Sequence, residues 1–161
     1  MTIYLVQHGD ALEKEVDPDR PLSPKGIEDV TRIASFLSRA GVRIPHLWHS
    51  GKTRAMQTAQ ILFQYVGAGG MCESHAGMAP KDSPKTLARD LDKQSQDTAL
   101  VGHLPQLSLL AAQLLAGDSE RPPILFERGG VVCLKRSEGA EWQVAWMVTP
   151  SLLTGLASHG S

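Results

Sequence analysis

Two histidines occupy matching positions in this chain, each just after an apolar run and each followed by residues that bend the backbone. Ile3-Tyr4-Leu5-Val6 passes through Gln7 into His8-Gly9-Asp10, and Thr98-Ala99-Leu100-Val101-Gly102 leads into His103-Leu104-Pro105. Apolar, β-branched and aromatic runs of this length read as buried strands, so both imidazoles are expected at strand carboxyl ends. In open α/β sheets that edge is where ligands bind. Two rings facing each other there suit phosphoryl chemistry on nitrogen. A neutral imidazole is a good nucleophile toward phosphorus when its other nitrogen is anchored on a carbonyl. Gly9 permits a sharp turn and close approach to a ligand. A lone histidine without this placement reads as a structural residue.

Arg54 gives an independent hint. It falls in the first turn of a helix beginning near Thr53, where the macrodipole disfavours a cation by ~0.3–1 kcal/mol. A bound phosphate offsets that cost, gripped by the guanidinium fork. Arg20, in a loop beside Pro21, reads as a solvated side chain when taken alone. Ser50-Gly51-Lys52-Thr53 does not form a P-loop, because the glycine required five positions before Gly51 is His46.

Strand and helix patterns alternate around these residues. Ser23 followed by Pro24 reads as a helix start, with Ile27, Val30, Ile33, Ala34 and Leu37 at helical spacing and Gly41 as the stop. His46 to Ser50 reads as a strand, and Thr53 as the cap of a helix with Ala55, Ala59, Leu62, Phe63 and Val66 on one face. Met71 to Ser74 reads as a short strand, Ser83-Pro84 as the start of a third helix through about Gln94, and Pro105 as the opening of a Leu-rich helix stopped by Gly117. Val131 to Lys135 and Trp142 to Val148 read as a hairpin around Ser137 to Ala140. The expected fold is a three-layer α/β/α domain over residues 1–150. Its mainly parallel sheet carries helices on both faces and ends in an antiparallel hairpin, with 151–161 as a loose tail.

Composition narrows the function classes. The net charge is −1 with no Lys/Arg run, which gives nucleic acid or an anionic membrane surface no electrostatic support. No apolar stretch approaches the ~20 residues of a membrane span, and the start lacks a leader pattern. Cys72 and Cys133 form no CxxC or metal cluster and read as reduced thiols. A cytoplasmic monomer without metal or cofactor is expected.

Together the segments resemble the histidine phosphatase superfamily, with its phosphoglycerate-mutase-like fold. Ser50-Gly51-Lys52-Thr53-Arg54-Ala55-Met56-Gln57-Thr58-Ala59 matches that family's middle motif, and Val101-Gly102-His103-Leu104-Pro105 its late one. The His-Gly-Asp-Ala start and Arg20-Pro21-Leu22-Ser23-Pro24-Lys25-Gly26 are most similar to SixA-type phosphohistidine phosphatases. The resemblance implies that His8 attacks phosphorus and is transiently phosphorylated. Arg54 and His103 then stabilise the phosphoryl charge, Gly9 and Arg20 bind substrate, and water hydrolyses the intermediate. It implies a phosphorylated protein as partner, such as a histidine-phosphotransfer domain, bound at a shallow open site.

One position departs from the family pattern. The arginine that precedes the nucleophile in these relatives is Gln7 here, an amide that still donates a hydrogen bond to substrate. A charged hydrogen bond is worth ~1.5–3 kcal/mol against about 1 for a neutral one, so turnover is expected to fall roughly 10- to 100-fold unless Lys52 or Arg20 fills the gap. Without that arginine, His8 is also expected to protonate earlier on acidification. Glu73 and Asp82 lie where a general acid would occur, but both read as solvated loop carboxylates. That favours a P–N substrate, whose imidazole leaves readily once protonated. Two alternatives remain at this level: a phosphomonoesterase for a small phosphorylated metabolite, and an inactive phosphoprotein-binding relative.

Overall fold

A computed structural model describes residues 1–118 and 120–157. Six strands form one sheet: β1 (Thr2–Gln7), β2 (His46–His49), β3 (Met71–Ser74), β4 (Thr98–Gly102), β5 (Val131–Arg136) and β6 (Trp142–Val148). Their order is β3-β2-β4-β1-β5-β6. The pairs β3·β2, β2·β4 and β4·β1 are parallel, and β1·β5 and β5·β6 are antiparallel. The helices are α1 (Pro24–Arg39), α2 (Thr53–Val66), α3 (Pro84–Asp92), α4 (Gln106–Ala116) and α5 (Pro150–Ala157).

Strand alternation splits the core in two. Tyr4 and Val6 of β1 join Leu47, Ala99 and Val101 under α1, α2 and α5. Ile3 and Leu5 point the other way and join Trp48, Leu100 and Val132 under α3 and α4. Helices therefore cover both faces, as the alternating pattern requires. The connection through α1 leaves β1 on one face and that through α4 leaves the adjacent β4 on the other. This divergence opens the crevice of a topological switch point between β1 and β4.

Local signals account for most helix ends. Ser23 caps α1 by accepting from the Gly26 amide, Ser83 caps α3 by accepting from that of Lys85, and Gly117 closes α4 at φ 69°. Three expectations need correction. The cap of α2 is Lys52, which makes no side-chain cap bond, and Thr53 is the first helical residue. Ile27 is 48% exposed; the buried face of α1 runs through Gly26, Val30, Ile33, Ala34 and Leu37. Residues 150–157 are a helix rather than a loose tail, held on α1 through buried Leu153. The remainder of that expected tail, 158–161, lies outside the described residues. Glu127 caps α5: its carboxylate accepts from the Ser151 amide at 2.9 Å and the Ser151 hydroxyl at 2.6 Å, a favourable placement for negative charge.

Candidate active site

Register brings the two histidines together. Gln7 and Gly102 are partners across the parallel β1·β4 pair, so His8 and His103 each stand one residue past the ladder. The His8 amide extends the pairing to the Gly102 carbonyl at 3.1 Å. The ring centroids lie 5.0 Å apart, tilted by 49°, and both residues are buried, at 8% and 2% exposure.

His8 is oriented by its own loop. Its Nδ1 lies 2.7 Å from the Gly9 carbonyl. A carbonyl only accepts, so Nδ1 carries the proton and Nε2 keeps its lone pair. The Gly9 amide in turn donates to Thr58 Oγ1 at 3.0 Å, and that hydroxyl donates to the Arg54 carbonyl at 2.8 Å. The first turns of α2 thus set the position of the strand-end loop. Behind the loop, Gly26 meets Asp10: a Cβ at Gly26 would lie 2.0 Å from the Asp10 carbonyl oxygen. Only glycine admits that approach.

His103 is held by the end of β2. Its Nε2 lies 2.6 Å from Ser50 Oγ, which accepts from the Lys52 amide at 3.4 Å. Ser50 Oγ keeps its proton and a second lone pair for Nε2; when the hydroxyl donates, Nδ1 of His103 is the N–H donor. That Nδ1 is buried without a partner, as is Arg54 Nε. Buried polar groups normally find partners, and both of these belong to residues at the same sheet edge. His49, at the corresponding end of β2, uses its Nδ1 to accept from the Gly51 amide at 3.1 Å and serves the turn.

The surroundings are cationic. Arg20 sits in the left-handed region at φ 48°, a conformation costing roughly 1–2 kcal/mol. Its Nε donates to the Leu12 carbonyl at 3.2 Å. Arg54 follows from the first turn of α2, and burial and then the charge of Arg20 hold its guanidinium below the usual range. Arg20, Lys52 and Arg54 make no carboxylate ion pair among the described residues. A fourth cation, Arg128, comes from the segment before β5 and pairs with Asp10 at 2.9 Å. Sequence patterning did not single it out, because residues 118–130 carry no periodic signal.

Burial, with these charges, keeps both imidazoles neutral. Burial, opposed by the Gly9 bond and helped by Arg54, Arg128 and Arg20, brings His8 down to about 4. Burial, then His8, Arg54, Lys52 and Arg20, bring His103 down to about 3. Burial and three other cations thus disfavour the imidazolium of His8 even with a neutral amide at Gln7. Gln7 itself is 7% exposed, and its Oε1 is without a partner.

No carboxylic acid is poised for proton donation among these groups. Asp10 accepts from Ser23 Oγ at 2.6 Å and from Arg128, and these bonds hold its carboxyl below the usual range. Glu73 is exposed on β3, and Asp82 accepts from the Ala79 amide at 2.8 Å. No group of His, Cys, Asp and Glu suited to a metal ion occurs among the described residues.

A neutral ring with a free Nε2, a second histidine and several cations without a carboxylate partner meet at one sheet edge of this α/β protein, an arrangement suited to an anion. Residues 3–78 match the model of the histidine phosphatase superfamily (branch 1), a stretch that contains His8 and Arg54. A structure of the protein histidine phosphatase SixA complexed with tungstate superposes with a TM-score of 0.83 at 24% identity, covering 95% of this chain and 99% of that one. A phosphoglycerate mutase from Bacillus anthracis superposes at 0.72 with 14% identity over 96% and 95%. An uncharacterized protein of Picosynechococcus is 28% identical over 84% of this chain and 85% of its own. The first half of the chain is thus similar to the histidine phosphatase superfamily, and the whole chain shares the fold of these solved structures.

Proposed function

We propose that this protein is a phosphatase that removes the phosphoryl group from phosphohistidine on a protein, through a covalent intermediate on His8. The observation that carries the reading is the neutral His8–His103 pair, set among Arg20, Lys52 and Arg54 with no carboxylate to occupy them. His8 Nε2 attacks phosphorus as the substrate P–N bond breaks. Arg54 and the His103 N–H take up the charge of the equatorial oxygens, and Gly9 and Arg20 complete the cradle. Water then cleaves the His8 P–N bond, releasing inorganic phosphate and restoring the imidazole.

The preference for a P–N substrate rests on proton supply. A phosphorylated imidazole protonated at its second ring nitrogen leaves as neutral imidazole, whereas an alkoxide needs an acid. Asp10 is held ionised, and Glu73 and Asp82 are committed to surface and turn. Likeness in fold to the SixA–tungstate complex supports the same reading. The mutase likeness shows that the fold alone does not choose the substrate.

A phosphohistidine protein and a panel of phosphate monoesters, assayed side by side, test the proposal. Phosphate release from the protein should exceed that from monoesters and vanish in His8→Ala. Efficient hydrolysis of monoesters alone would assign the site to a small metabolite. Binding without release, with release restored only in Gln7→Arg, would identify a phosphoprotein-binding relative.

A further inference from the structure

The residue beside the nucleophile is a neutral amide, yet a positive charge reaches that flank from elsewhere in the chain. The Gly129 amide donates to the carbonyls of both Gln7 (2.9 Å) and His8 (3.2 Å), and Gly130 closes the turn onto the Glu127 carbonyl at 2.8 Å. Gly129 has φ 78°, and a Cβ there would lie 3.3 Å from Pro150 and 3.5 Å from Val30. The turn is therefore fixed between the end of β1 and the helices α1 and α5. Arg128 rises from it, half exposed, with Nη1 2.9 Å from Asp10 Oδ1. Its charge acts on His8 more strongly than that of Arg20, while the cations acting on His103 are Arg54, Lys52 and Arg20.

We propose that Arg128 is a phosphoryl-binding residue, parked on Asp10 in the free protein and transferred to the phosphoryl oxygens when substrate enters. The inference rests on the phosphatase reading and supplies the cation that Gln7 does not. Asp10 tolerates the exchange because Ser23 Oγ remains bonded to its other oxygen at 2.6 Å. Exposed ion pairs are weak, whereas a phosphoryl group offers two oxygens to the guanidinium fork.

Calorimetric binding of inorganic phosphate to wild type, Arg128→Gln, Arg128→Lys, Asp10→Asn and the Asp10→Asn/Arg128→Gln double variant tests this, with single-turnover rates on a phosphohistidine protein alongside. Arg128→Gln should weaken phosphate ~10-fold, a single charge-assisted contact, and Arg128→Lys should recover part of it. Asp10→Asn should tighten binding, and the double variant should stay as weak as Arg128→Gln. Recovery of wild-type affinity in the double variant would show that Arg128 merely neutralises Asp10 and would overturn the contact. Unchanged affinity in Arg128→Gln, with wild type still active, overturns this proposal alone. Wild type that neither binds phosphate nor turns over phosphohistidine overturns the phosphatase reading and this inference with it.

Discussion

At the scale of single residues, the proposed chemistry rests on two buried neutral imidazoles beside Arg20, Lys52 and Arg54, none of which pairs with a carboxylate among the described residues. Arg54 has the sharpest requirement, because its fork is planar and its Nε is already stripped of water. Arg54→Lys keeps the charge but loses the bidentate grip. We expect kcat/KM on a phosphohistidine protein to fall ~10- to 100-fold in Arg54→Lys and ~100- to 1000-fold in Arg54→Ala. Equal losses in the two variants would show that the charge alone contributes nothing and would contradict this ranking. His8, Arg54 and His103 were legible in the sequence because each sits at a strand end or a helix start, where local patterns are strong. Arg128 was not: what places it is a pair of backbone bonds from Gly129 to the Gln7 and His8 carbonyls, and no local pattern encodes a contact over that distance in the chain.

At the scale of elements, three ends meet behind the nucleophile: the loop after β1, the start of α1 and the start of α2. Gly26 is where the first two touch, so Gly26→Ala should force the Asp10 backbone away and tilt His8. The expected cost is ~1–3 kcal/mol of stability together with a loss of turnover, read from urea midpoints and single-turnover rates. Wild-type values for both would contradict the packing described. The capped helices were readable because Ser23-Pro24 and Ser83-Pro84 act locally. Helix α5 was misread because it is eight residues long and buries Leu153, too little for periodicity to register. Its cap, Glu127, lies 24 residues earlier in the chain. The same locality explains the error at α2, where Thr53 looked like a cap although its side chain makes no cap bond.

At the scale of the whole molecule, a chain of net charge −1 concentrates Arg20, Lys52, Arg54 and Arg128 at one sheet edge, and this couples stability to pH and to anions. His8 and His103 titrate near about 4 and about 3 when folded, below the ordinary value of 6.5. As pH falls through 6.5 the unfolded chain takes up protons that the folded chain refuses. Stability is therefore full above about pH 7 and declines between 6.5 and about 4, by ~1.4 kcal/mol per pH unit for each histidine. Urea midpoints should drop over that window, and less so in His8→Ala. A flat profile would contradict a buried neutral pair. Inorganic phosphate at 100 times its Kd should add ~2.7 kcal/mol.

On the proposed route the phosphoryl group passes through His8. Mixing the protein with a phosphohistidine protein, quenching in alkali within one turnover and mapping the phosphorylated residue by mass spectrometry tests it directly. Phosphate should be found on His8, decaying as inorganic phosphate appears, with no labelled enzyme in His8→Ala. A phosphoenzyme that survives His8→Ala, or phosphate release from that variant at the wild-type rate, would contradict it.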